Sequence, residues 1–121
     1  MNELKTYTEQ EARAKLSAIL PTWQVDSGHL CRRYKTDGWR ASMLLANGIA
    51  HLAEVAWHHP EMHVSWGGVL VQLRTHSEEA ISDRDFELAA LIEQVACWRP
   101  GDDSALDGSP GDGEWRYLVA D

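Results

Sequence analysis

Five of the six histidines fall between residues 51 and 76: His51, His58, His59, His63 and His76. Imidazole titrates near neutrality, so such a cluster suits proton transfer or metal binding. The densest stretch is Glu54-Val55-Ala56-Trp57-His58-His59-Pro60-Glu61. Glu54 and His58 are four apart and share a face of any helix that runs through both. His76 closes a strand-like run and Asp85 opens a helix-like one, so both can approach the same mouth. Each residue also has a plainer reading. Glu54 is then a solvated helix acid, and His58 and His59 cap a helix C-terminus. His76 bonds a backbone carbonyl, Asp85 serves a capping box, and Trp66 is core. A metal site would draw on His58, His59, His63 and His76, but their spacing matches no zinc pattern. No metal or cofactor is expected.

These residues need elements to position them. Thr8 followed by Glu11 is a capping box ahead of Ala12, Leu16, Ile19 and Leu20, and Pro21 stops that helix. Trp23–Val25 and Leu30–Tyr34 read as strands around an Asp26-Ser27-Gly28 turn. A second helix is predicted from Arg40 to Trp57, with Leu45, Ile49, Leu52, Ala53 and Ala56 on its core face. Met62–Trp66 and Val69–Thr75 follow as strands joined through Gly67-Gly68. Ser82 and Asp85 make another capping box, opening a helix whose predicted core face is Leu88, Leu91, Ile92 and Val95. The order α-β-β-α-β-β-α predicts an α+β fold, a four-stranded antiparallel sheet with helices packed on one face.

The whole chain has 121 residues and a net charge of −8. That length suits one core. The acidic balance argues against nucleic acid and against an anionic membrane surface, and a cytoplasmic location is expected. Cys31 and Cys97 are predicted to be buried free thiols. Residues 1–100 hold 13 acids against 10 bases, whereas 101–121 hold six against one, with Gly101, Gly108, Gly111, Gly113 and Pro110. Residues 1–100 therefore read as the domain and 101–121 as an acidic, Gly-rich tail. Trp115, Tyr117 and Val119 stand at strand spacing within it, which predicts docking on an edge or groove of an oligomer or on a partner.

Taken together, Glu54, three residues, His58, His59, Pro60, five residues, Trp66, nine residues, His76, eight residues and Asp85 fill a long pattern with fixed gaps. That pattern resembles the signature of the pterin-4a-carbinolamine dehydratase family, and the resemblance extends over roughly residues 8–98. It implies dehydration of a 4a-hydroxytetrahydropterin to the quinonoid dihydropterin, which recycles the cofactor of aromatic amino acid hydroxylases, with no metal or organic cofactor. It further implies that His59 and His76 are the acid–base pair, that His58 positions the pterin or supports proton transfer, and that Glu54 and Asp85 orient imidazoles. Pro60 and Trp66 would border the substrate, and the chain would form a dimer or tetramer. A family member is also a dimerisation cofactor of a transcription factor, and dehydratase-like relatives assist Rubisco assembly in the α-carboxysome system. The resemblance therefore implies a second role as a protein-binding assembly factor. Two departures stand out. Glu78 and Glu79 replace small residues after His76, and Trp57 precedes the histidines where a polar residue is usual.

Overall fold

The computed structural model describes residues 3–113 and 116–121. Two-residue strand β1 (Thr6–Tyr7) leads into α1 (Glu9–Ile19). The α1 capping box is formed at both ends, with the Thr8 hydroxyl accepting from Glu11 N–H and the Glu11 carboxylate from Thr8 N–H. Then follow β2 (Gln24–Asp26), β3 (His29–Lys35), α2 (Trp39–Ala56), β4 (Glu61–Ser65), β5 (Gly68–Leu73), β6 (Ile81–Ser82) and α3 (Asp83–Ala96). The main sheet is antiparallel with order β2-β3-β5-β4. The short strands β1 and β6 pair with each other and were not legible as strands, since two residues carry no period.

Alternation assigns the faces. Leu30, Arg32 and Tyr34 of β3 and Val69, Val71 and Leu73 of β5 are buried, facing Ala12 and Leu16 of α1, Leu45, Ile49 and Ala53 of α2, and Leu88, Ala89 and Ile92 of α3. Gly68 lets β5 start tight against β3, because a Cβ there would lie 2.7 Å from the Tyr34 carbonyl oxygen.

Several burial expectations need correction. Leu91 and Val95 of α3 are exposed, and the buried face is Asp85, Phe86, Leu88, Ala89 and Ile92. The helical stripe is thus rotated toward residues 85, 89 and 92, because Asp85 is drawn inward by partners described below. Ala56 is exposed at the end of α2 and Leu52 only half-buried. Cys31 is half-buried and Cys97 exposed, both as free thiols. Cys31 lies on the outer face of the sheet and Cys97 just past α3, so neither reaches the core.

The C-terminal residues return to their own domain. Asp37 N–H donates to the Tyr117 carbonyl (3.0 Å) and Val119 N–H to that of Lys35 (2.9 Å), with an antiparallel bridge between Thr36 and Leu118. Tyr117 and Leu118 pack against the core. Residue Trp115 lies outside the described residues.

Candidate active site

The site begins where α2 ends. Trp57 adopts the left-handed conformation (φ 55°, ψ 45°), and its N–H reaches the Ala53 and Glu54 carbonyls. His58 N–H then closes back on the Ala53 carbonyl at 3.1 Å. This is the usual two-bond closure of a helix C-terminus, but the left-handed position normally falls to glycine. A side chain there costs about 1–2 kcal/mol. The reversal splits the two histidines. His58 turns toward α3, while His59, held extended before Pro60, turns back along α2.

His58 Nε2 lies 2.6 Å from Asp85 Oδ1, with the imidazole 13% and the carboxylate 0% exposed. Asp85 is the third residue of the α3 capping box, and its Oδ2 accepts from Ser82 N–H (2.8 Å) and the Thr75 hydroxyl (2.8 Å). Thr75 and Ser82 hydroxyls bond each other at 2.5 Å. A carboxylate only accepts, and Oδ2 is already used. Oδ1 therefore takes the Nε2 proton of His58, which leaves Nδ1 as the free nitrogen. Asp85 is both helix cap and imidazole partner, one oxygen serving each.

His59 Nε2 lies 2.8 Å from Glu54 Oε1, on a surface where the two are 50% and 69% exposed. The same donor logic puts the proton on Nε2 and frees Nδ1. The Trp57 ring meets His59 edge-on, centroids 5.1 Å apart and planes at 82°. The helix therefore pairs Glu54 with His59, five residues on, rather than with His58, four residues on.

His76 is exposed at the start of a single 3₁₀ turn, His76–Glu78, between β5 and β6. The turn is closed by Thr75 and Ala80 pairing backbone to backbone at 3.0 and 3.3 Å. His76 is thus the chain neighbour of Thr75, whose hydroxyl bonds Asp85, the partner of His58. Glu79 is left-handed (φ 50°) and its carbonyl accepts from Arg74.

Trp66 is not brought to this group within one chain. It occupies the β4–β5 turn, 63% exposed, with its carbonyl accepting from Thr36 and Ser42 hydroxyls at 3.3 Å. The five residues of β4 separate it from Pro60, about 16 Å at strand rise. Among the described residues no group of three or more His, Cys, Asp and Glu is placed to hold a metal ion.

A cleft of about 450 Å³ adjoins His58, lined by Ala56, Trp57, Arg84, Glu87, Leu88 and Leu91. A cavity of about 430 Å³ lies between α2, α3 and the C-terminal residues, away from the histidines.

The Pterin 4 alpha carbinolamine dehydratase family profile matches residues 5–95, which include every residue of this cluster. The chain belongs to the pterin-4a-carbinolamine dehydratase family. A provisionally named pterin-4-alpha-carbinolamine dehydratase of Aquifex aeolicus is 33% identical over 92 residues, 76% of this chain and 92% of its own. One of Rickettsia bellii, also provisionally named, is 38% identical over 86 residues, 70% and 76% of the two chains. A solved structure described as a transcriptional coactivator/pterin dehydratase from Brucella melitensis superposes with a TM-score of 0.67 at 30% identity, covering 76% of this chain and 99% of that one. The α+β architecture of the dehydratase family is therefore shared, and residues 96–121 lie outside the family match.

Sequence reasoning missed Thr75 and Trp57 as members of the site. Thr75 was signalled only by its place before His76. Trp57 stood out only as a departure from the family pattern, and nothing local marked its left-handed backbone.

Proposed function

We propose that the protein dehydrates a 4a-hydroxytetrahydropterin to the quinonoid dihydropterin by imidazole acid–base catalysis. The observation that carries this reading is the pair of carboxylate-held imidazoles at one helix end, His58 on Asp85 and His59 on Glu54. The reaction needs one proton delivered to the 4a-hydroxyl, which leaves as water. It needs another proton removed from the neighbouring ring nitrogen as the C=N bond forms. Imidazoles exchange both near neutral pH. His59 and His76 are the proposed pair, His59 presenting Nδ1 while Glu54 holds its tautomer. His58, only 13% exposed, is the proposed positioning residue, set by Asp85, Thr75 and Ser82. Pro60 borders the substrate, and Trp66, at the far end of the hairpin, is left out.

Turnover of a synthetic 4a-hydroxypterin tests the assignment. His59→Ala and His76→Ala should each lower kcat by about 10²–10⁴-fold with unchanged circular dichroism. Wild-type turnover in either variant removes that residue from the pair. The outer edge of β4 pairs with no strand among the described residues, and we infer a dimer or larger oligomer formed there. A monomer in light scattering at micromolar concentration would contradict it.

A second reading, a protein-binding assembly role of the kind that serves Rubisco, is favoured by one observation. Roughly a quarter of this chain has no counterpart in the solved Brucella melitensis protein. Absent turnover together with capture of a Rubisco subunit would favour that role.

A further inference from the structure

Strand β2 covers only half of β3. It pairs Gln24, Val25 and Asp26 with Cys31, Leu30 and His29, and stops there. At the far end of β3 the C-terminal residues take over that edge: Val119 N–H donates to the Lys35 carbonyl, and just past the strand Leu118 bridges Thr36 and Asp37 N–H donates to the Tyr117 carbonyl. An edge of this kind accepts an added strand through backbone groups, while side chains set the choice.

The side-chain determinants are built. Arg32 is 6% exposed, although it stands in the core-facing row between Leu30 and Tyr34. One side of its guanidinium meets Glu93, Nε to Oε1 at 3.1 Å and Nη2 to Oε2 at 3.4 Å. The other side presents Nη1 and Nη2 to the Asp121 carboxylate at 2.8 and 2.9 Å, a parallel two-bond pairing. Nη1 also donates to the Arg33 carbonyl at 3.0 Å. Glu93 is itself fixed by Trp23 Nε1 (2.9 Å), Tyr34 hydroxyl (2.7 Å) and Cys97 Sγ (3.1 Å). Arg32 therefore cannot turn away, and its outer fork faces a carboxylate two residues past Val119. Tyr117 and Leu118 supply apolar contact, and Arg116 Nε bonds Asp37 at 2.9 Å.

We propose that the half-edge of β3 with Arg32 is a peptide-acceptor site, and that residues 116–121 are its displaceable resident. Its ligand is an extended peptide with an apolar triplet followed two residues later by an acidic side chain. The resident segment is joined through residues 101–113, which are exposed throughout. It lies outside the 5–95 family match.

The test uses the chain ending at residue 113 and a fluorescein-labelled synthetic peptide of residues 114–121, read by anisotropy. The shortened chain should bind the peptide. The peptide carrying Asp121→Ala should bind at least about tenfold more weakly, because a two-bond charged pair is lost. The full chain should also bind the wild-type peptide at least about tenfold more weakly, since its tethered segment competes at roughly millimolar effective concentration. A folded shortened chain that ignores the peptide, equal binding of the two peptides, or equal binding by full and shortened chains would each overturn the proposal. Should the shortened chain fail to fold, hydrogen exchange in full-length Asp121→Ala decides. Asp37 and Val119 amides should exchange at least about tenfold faster than in wild type with β5 amides unchanged, and unchanged rates at both would overturn the proposal.

Discussion

Replacing Asp85 by Asn inverts the tautomer of His58 while keeping most of the fold. Asp85 Oδ2 serves two buried donors, Ser82 N–H and the Thr75 hydroxyl, both at 2.8 Å. The Asn carbonyl must stay on that side, because turning the NH₂ group there would strand both donors, each at about 1–3 kcal/mol. The NH₂ group then faces His58 Nε2, 2.6 Å from the replaced oxygen. Two donors cannot face each other, so His58 must move its proton to Nδ1. Asp85→Asn should therefore cost only about 1–2 kcal/mol, the difference between a charge-assisted and a neutral hydrogen bond. Asp85→Ala, which removes an acceptor from three donors and spoils the cap of α3, should cost about 3–5 kcal/mol. Urea unfolding measures both, and two-bond ¹⁵N–¹H imidazole spectra read the tautomer. Wild type should show His58 protonated at Nε2 and Asp85→Asn at Nδ1. The same tautomer in both proteins would refute the donor accounting around Asp85, as would a loss in Asp85→Asn as large as that in Asp85→Ala.

Two further outcomes follow from the same reasoning. Burial pushes the Glu93 carboxyl up, but bonds from Arg32, Tyr34, Cys97 and Trp23 together hold it at about 2. Because its folded value lies below the unfolded one, its contribution of about 3 kcal/mol is present above about pH 4.5 and lost as pH falls toward 2. The stability gap between wild type and Glu93→Gln should therefore narrow across that window in urea titrations, and a gap constant down to pH 2.5 would contradict it. Trp57→Gly relieves the left-handed backbone but loosens the unfolded chain, a net gain of about 0.5–1 kcal/mol. Thermal unfolding should show a higher Tm, and a lower one would mean that the edge contact with His59 outweighs the strain.

What could be read from the residues was local. Thr8 with Glu11 and Ser82 with Asp85 announce helix starts because a capping box closes within four residues. Gly67-Gly68 between two apolar runs announced the β4–β5 hairpin for the same reason. What could not be read spans distance. Arg32 and Glu93 are 61 positions apart, and the only hint was an arginine on the core-facing phase of a strand, which demands a partner without naming it. Asp85 meets His58 across 27 positions, so its second role was hidden behind a sufficient first one. Trp57 was illegible because tertiary anchoring of His58 forces a left-handed turn that the sequence disfavours. The alternation of Tyr117 and Val119 foretold an extended segment, but its seat on β3 depended on how far β2 reaches along that strand.

The central claim rests on catalysis, and the dehydration rate of a synthetic 4a-hydroxytetrahydropterin tests it most directly. The rate is measured near neutral pH with and without purified full-length protein, beside a family member of known activity. The account predicts acceleration well above the spontaneous rate, abolished in the His59→Ala, His76→Ala double variant. A folded wild-type protein that leaves the spontaneous rate unchanged, where the reference enzyme accelerates it, would contradict the account.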